Sequence, residues 1–166
     1  MTPPKKIRGG ALLARALQEK GVEHVFTLSG GFCNPALEGF MECQMKVINC
    51  PHEQVAGHFA DGHTRITRKP AVCLVGPEGF ANAVPAMMEA WGERSPVIFV
   101  TGSSTLKRQG AGRFKEIDDV TIAAPLTKYS ATITDGERIN EFVDRAVKIA
   151  TNGYPGAVHL SLPVDI

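Results

Sequence analysis

Apolar residues recur at helical spacing through Ala11, Leu12, Ala14, Ala16 and Leu17, with the aliphatic stem of Arg15 among them, and Gly21 ends the pattern. The β-favouring run His24-Val25-Phe26-Thr27-Leu28 follows, so the order is helix and then strand. The same alternation predicts a helix over 35–41, a strand over 46–49, a helix over 52–66, a strand over 71–75, a helix over 80–91 and a strand over 97–100. A long loop is expected over 102–118, Asp135 opens a helix over 137–150, and a strand over 157–162 closes the chain. Runs such as Val97-Ile98-Phe99-Val100 are apolar on both faces, which suits a parallel sheet covered by helices on each side. The expected fold is α/β: a doubly wound, mainly parallel six-stranded sheet with helices on both faces. No internal repeat, low-complexity tract or interior linker is visible, so residues 1–166 read as a single domain.

In such sheets ligands sit outside the carboxyl ends of the strands. The segments there are Ser29-Gly30-Gly31, Cys50-Pro51-His52-Glu53, Gly76-Pro77-Glu78-Gly79 and Gly102-Ser103-Ser104. Ser29-Gly30-Gly31-Phe32 would let backbone approach a ligand, but it is not G-x-G-x-x-G and has no Lys-Ser or Lys-Thr to cradle phosphate. Its plain reading is a tight strand-to-helix turn needing positive φ, and the same holds for Gly76 to Gly79. The run from His52 to His58 begins like a zinc-protease helix, yet Ala56 stands where the second histidine belongs. His58, six residues on, faces about 240° away around the helix, so no metal site is expected, and His58 and His63 read as polar positions on a helix face. Glu53 opens a helix at the carboxyl end of a strand, among the small or apolar neighbours Val55, Ala56 and Gly57. It reads either as a carboxylate favoured by the helix dipole or as a buried carboxyl that shares a proton with a ligand.

Composition narrows the ligand. The chain has 18 Lys plus Arg against 17 Asp plus Glu, a formal net charge of +1, with 43% hydrophobic and 21% charged residues. That is globular composition, which excludes disorder, collagen and coiled coil. Basic residues are scattered, so neither nucleic acid nor a membrane surface is expected as a partner, and a small neutral or locally charged ligand fits better. Cys33, Cys43, Cys50 and Cys73 form no C-x-x-C pair, lie in or beside apolar segments, and read as buried free thiols in a reducing compartment. Residues 1–6 contain no apolar signal core and no stretch approaches ~18 apolar residues, so a cytoplasmic location is expected.

Taken in order, Gly30-Gly31, Cys50-Pro51-His52-Glu53-x-x-Ala56-Gly57-His58-x-Ala60-Asp61-Gly62 and Gly79-Phe80-Ala81-Asn82-Ala83-Val84 form a specific combination. It continues through Ala90-Trp91-x-x-Arg94-x-Pro96-Val97, Thr101-Gly102-Ser103, Phe114-Lys115-Glu116-Ile117-Asp118 and Ala124-Pro125-Leu126-Thr127-Lys128. It ends with Gly153-x-Pro155-Gly156-Ala157-Val158-x-Leu160-x-Leu162-Pro163-x-Asp165. The chain thereby resembles the N-terminal, pyrimidine-binding domain of thiamine-diphosphate-dependent enzymes of the acetolactate synthase, benzaldehyde lyase and 2-hydroxyacyl-CoA lyase group, over nearly its whole length.

The resemblance implies that Glu53 is catalytic: its carboxyl would hydrogen-bond N1′ of the cofactor's aminopyrimidine and favour the imino tautomer, whose 4′-nitrogen removes the thiazolium C2 proton. It also implies that Gly79, in the loop before the 80–91 helix, Asn82, Gly30 and Gly31 contribute to cofactor binding. Phe32, Cys33, Phe114 and Lys115 would line the substrate pocket. Acetolactate synthases usually carry Phe-Gln where this chain has Phe114-Lys115, and benzaldehyde lyase has His where Phe32 stands. Lys115 would bind an acidic substrate group or point into solvent.

The family's Gly-Asp-Gly…Asn-Asn site for diphosphate and Mg²⁺ is missing, so thiamine diphosphate would be held at its pyrimidine end, with magnesium on an absent domain. The partner would be the diphosphate-binding domain of another subunit in a homodimer or tetramer, acting on a small carbonyl substrate. A chain ending at Pro163-Val164-Asp165-Ile166 is expected to be the first domain of a longer enzyme or a natural small subunit of a split 2-oxo acid decarboxylase. Acetolactate-synthase-like carboligation is the leading activity. Benzaldehyde-lyase-like or 2-hydroxyacyl-CoA-lyase-like cleavage is the alternative, and a non-catalytic binding or regulatory domain the reading from another class.

Overall fold

The computed structural model describes residues 7–166, so residues 1–6 and the signal-core reading made on them lie outside the described residues. The chain runs α1 (Gly9–Glu19), β1 (His24–Thr27), α2 (Asn34–Glu42), β2 (Lys46–Asn49), α3 (Glu53–Thr67), β3 (Ala71–Val75) and α4 (Pro77–Gly92). It continues β4 (Val97–Ser103), α5 (Asp119–Ala123), β5 (Ser130–Thr132), α6 (Ile139–Thr151) and β6 (Val158–Pro163).

The strands form one sheet in the order β2-β1-β3-β4-β6-β5, with every pairing parallel. Alternation along the central strands divides the core. Val72 and Leu74 of β3 with Ile98 and Val100 of β4 face α1, α2 and α6, where Leu13, Leu17, Phe40 and Val143 meet them. Ala71, Cys73 and Val75 with Val97 and Phe99 face α3 and α4, against Ala56, Ala60, Phe80 and Met87. A strand buried on both sides has no polar face, which is why these runs read as continuously apolar.

The handedness of the crossovers explains the layering. Passing from β1 to β2 the chain moves one way along the sheet, and from β2 to β3 it moves back past β1. Right-handed connections of opposite direction put α2 and α3 on opposite faces. The reversal leaves a crevice at the carboxyl ends of β1 and β3, the place where such sheets hold ligands.

Beyond shifts of one or two residues, two boundaries and two short elements, α5 and β5, differ from the pattern. The strand expected over 97–100 runs on to Ser103, because Thr101, Gly102 and Ser103 pair with Ser161, Leu162 and Pro163 of β6 despite their polarity. The helix expected over 80–91 begins at Pro77, whose missing N–H costs nothing in a first turn, while Glu78 there suits the helix dipole. β5 leaves no mark in the apolar pattern: Ser130-Ala131-Thr132 is short and partly polar, and its strand geometry comes from pairing with β6. Among the described residues no helix is long and apolar enough to cross a membrane.

Candidate active site at the switch point of the sheet

α3 begins beside the carboxyl end of β2. His52 caps it with its own side chain, Nδ1 accepting from the Gln54 N–H at 3.2 Å, so this imidazole serves the helix terminus. Glu53 is therefore the first helical residue, and its carboxyl turns toward the first turns of α4. There Asn82 Nδ2 donates to Glu53 Oε2 at 3.1 Å. Gly79 lies closer still: a Cβ on it would stand 2.7 Å from Glu53 Cγ and 2.8 Å from Oε1. Only glycine lets the first turn of α4 press against this carboxylate. Oε1 accepts no hydrogen bond among the described residues, and the side chain is half-buried rather than buried, so one oxygen is held and the other is available.

The loop after β1 departs from its sequence reading. Neither Gly30, at φ −151°, nor Gly31 adopts positive φ, and a Cβ on either would meet nothing within 4 Å. Gly76, at φ −80°, needs no positive φ, and Gly79 lies inside α4 rather than in a loop before it. Gly31 opens a short 3-10 turn, Gly31–Cys33, that carries the chain into α2. Its backbone lies against β4: a Cβ on Gly102 would stand 2.1 Å from the Phe32 carbonyl oxygen.

Of the residues expected in a substrate pocket, Phe32 and Phe114 line one cavity, of about 340 Å³, together with Ser104, Thr105, Arg108 and Arg113. Cys33 does not join them. It is 0% exposed and packed in the core, because the turn that presents Phe32 points the next side chain inward, and burial pushes its thiol up to about 11. Lys115 neither lines that cavity nor extends freely into solvent: its ammonium pairs with Glu78 in the first turn of α4. This hydrogen bond holds the Glu78 carboxyl below its ordinary range.

A second polar group lies inside the sheet, at the second residue of β6, and no motif announces it. His159 of β6, 0% exposed, bridges Thr101 Oγ1 of β4 and Ser130 Oγ of β5, each at 2.9 Å. Ser130 donates to the Val120 carbonyl, so it accepts from His159 Nδ1–H, and Nε2 is left to accept from Thr101. Burial lowers the imidazole to about 3. The Asp119 carboxylate 3.7 Å from Nε2 therefore faces a neutral ring and not an ion-pair partner, and burial raises its own carboxyl. Of the other histidines, His58 on α3 lies against Gln54, while His63 of α3 packs inward on β1, 4.2 Å from the His24 ring and 5.8 Å from the Phe26 ring.

Residues 7–122 match the family model described as thiamine pyrophosphate enzyme, N-terminal TPP binding domain. The chain belongs to this family. Similar proteins include the acetolactate synthase large subunit of Mycobacterium tuberculosis, 34% identical over 164 residues, which are 98% of this chain and 30% of that protein. The probable acetolactate synthase large subunit of Methanocaldococcus jannaschii is 36% identical over 162 residues, 96% of this chain and 27% of the relative. The 2-hydroxyacyl-CoA lyase 2 of Danio rerio is 33% identical over 159 residues, 95% and 25% respectively. The chain thus spans under a third of the length of the curated relatives it matches.

Proposed function

We propose that residues 1–166 are the pyrimidine-binding domain of a longer thiamine-diphosphate enzyme that makes or breaks a carbon–carbon bond next to a carbonyl, with acetolactate-synthase-like carboligation as its reaction. The observation that carries this reading is the Glu53 carboxylate at the switch point, with Oε2 held by Asn82 and Oε1 beside Gly79 and unpaired. These residues fit the aminopyrimidine of thiamine diphosphate: the free oxygen of a carboxyl oriented by Asn82 would meet a ring nitrogen, and a side-chain-free turn would give a flat ring room. When bound, this cofactor supplies a nucleophilic carbon and a sink for the electrons of the broken bond. Glu53 would hold a proton at Oε1 toward the ring nitrogen, Asn82 would fix the carboxyl's rotation, and the backbone at Gly79, Gly30 and Gly31 would line the approach.

Magnesium and the diphosphate end fall to a domain beyond this chain, from a second subunit of a homodimer or tetramer. Exposed Phe59 and Ile66 on α3, with Met88 and Trp91 on α4, support such a contact. Free thiols at all four cysteines support a cytoplasmic location. Cleavage of 2-hydroxyacyl thioesters is the second reading, favoured by the similarity to 2-hydroxyacyl-CoA lyase 2.

The test is exchange of the cofactor's C2 proton with deuterium in the full-length enzyme. Glu53→Gln is expected to slow it by about 10²–10⁴-fold, the usual range for a lost proton-transfer group. Normal exchange in that variant sinks the assignment and returns the domain to a non-catalytic binding role.

A further inference from the structure

The cavity between Phe32 and Phe114 carries charge that the reaction proposed above does not use. The segment 104–116 crosses the carboxyl end of β4 and bears Lys107, Arg108, Arg113 and Lys115 against Glu116 alone. Two of these charges are already engaged. Lys115 is paired with Glu78. Glu116 is occupied by backbone, accepting from the Gly110 N–H and, at 2.8 Å, from the Arg113 N–H. Lys107 lies outside the cavity lining, and the two guanidiniums that line it, Arg108 and Arg113, make no ion pair and no side-chain hydrogen bond among the described residues. In a chain of net charge +1 this is a local positive field over an open groove lined by Phe32 and the exposed Phe114.

The cations are also held in place. Asp165, just beyond β6, accepts from the N–H groups of Leu106 at 2.7 Å and Lys107 at 3.3 Å, anchoring the turn Leu106–Arg108. Glu116 clasps the next bend, where Gly110 and Gly112 take positive φ, and the Lys115–Glu78 pair ties the far end to α4. A loop fastened at three places presents its arginines with less ordering left to do on binding. Two guanidiniums beside two phenyl rings recognise an apolar segment that ends in an oxyanion.

We propose that Arg108 and Arg113 select substrates whose tail, beyond the reacting carbonyl, carries a carboxylate or phosphate after a short apolar stretch lying between Phe32 and Phe114. This rests on the carbonyl chemistry proposed above only in calling the ligand a substrate. The full-length protein, without cofactor, is titrated with 2-oxovalerate, with 2-oxoglutarate, which has the same chain length and a distal carboxylate, and with a phosphonate-tailed 2-oxo acid. At least one charged probe is expected to bind about ten- to hundredfold tighter than 2-oxovalerate. Which of the two wins tells carboxylate from phosphate. The preference is expected to shrink as salt is raised, because both arginines are solvent-exposed. Arg108→Ala with Arg113→Ala should abolish it while the thermal midpoint stays put, and Arg113→Lys should keep part of it.

Equal binding of all three probes, or a preference that survives the double substitution, overturns the inference. Failure of the Glu53 exchange test with an Arg-dependent preference intact would remove the proposed reaction and leave this anion site standing. Success of that test with equal probe binding would do the reverse.

Discussion

At the residue scale the site depends on a contact that one methyl group would break. Gly79 is helical, so Ala there gains up to about 1 kcal/mol of helix propensity. Its Cβ would nevertheless meet Glu53 Cγ at 2.7 Å and Oε1 at 2.8 Å. Relief comes from displacing the glutamate side chain, which is half-exposed and able to move. Gly79→Ala should therefore melt within a few degrees of the wild type while C2 proton exchange falls by about 10²-fold, the usual consequence of moving a catalytic group by an ångström. A large loss of melting temperature with exchange intact would mean that Gly79 serves packing alone. Glu53 was legible in the sequence because it opens a helix at a strand end; its partner Asn82, 29 residues on, was legible only through the family pattern.

At the scale of elements, β5 depends on its neighbour. Three residues of intermediate burial make a weak strand, and Ser130 joins it to β6 through the buried imidazole of His159. That imidazole stays neutral in the fold to about pH 3, whereas in the unfolded chain it takes a proton below about pH 6.5. Unfolding therefore binds a proton in this window. The histidine's contribution is fully present above about pH 6.5 and is lost as pH falls toward 3. Asp119 works the other way, since its raised carboxyl favours the fold while protonated and loses that advantage as pH rises through its folded value. The difference in unfolding free energy between wild type and His159→Gln should thus move in favour of the wild type between about pH 4 and about pH 6.5. A flat difference curve would show that the imidazole titrates freely in the folded state. The segment 104–116 belongs to this scale as well: its charges were visible as scattered basic residues, but that Lys115 alone is compensated among the described residues followed from Glu78 meeting it in space, and the anchoring of the segment from Asp165 and Glu116 taking its backbone N–H groups.

For the whole molecule, apolar surface is unevenly spent. On the side of α1, α2 and α6 those helices leave Met41 exposed, while α3 and α4 leave Phe59, Ile66, Met88 and Trp91 exposed, Ile66 to 85%. If a second subunit covers α4, a charge placed there opposes assembly without touching the core. Met88→Glu is expected to shift the full-length enzyme toward smaller species in sedimentation velocity with its circular dichroism unchanged. An unaltered sedimentation coefficient would remove this part of α4 from the interface.

What the sequence by itself determined is the class of fold and the elements that are continuously apolar or strongly periodic. β3, β4 and α3 are legible because burial on both faces, or on one helical stripe, writes a local pattern. It also put Glu53 at a strand end and a helix start, as a carboxylate either favoured by the helix dipole or sharing a proton with a ligand. The tertiary structure alone decided the rest. It took Cys33 out of the expected substrate pocket, turned Lys115 onto Glu78, and extended β4 through Thr101, Gly102 and Ser103. It left Arg108 and Arg113 as the unpaired cations beside Phe32 and Phe114. Each of these outcomes depends on a partner far along the chain, and periodicity carries no information about which distant groups the crossovers bring together.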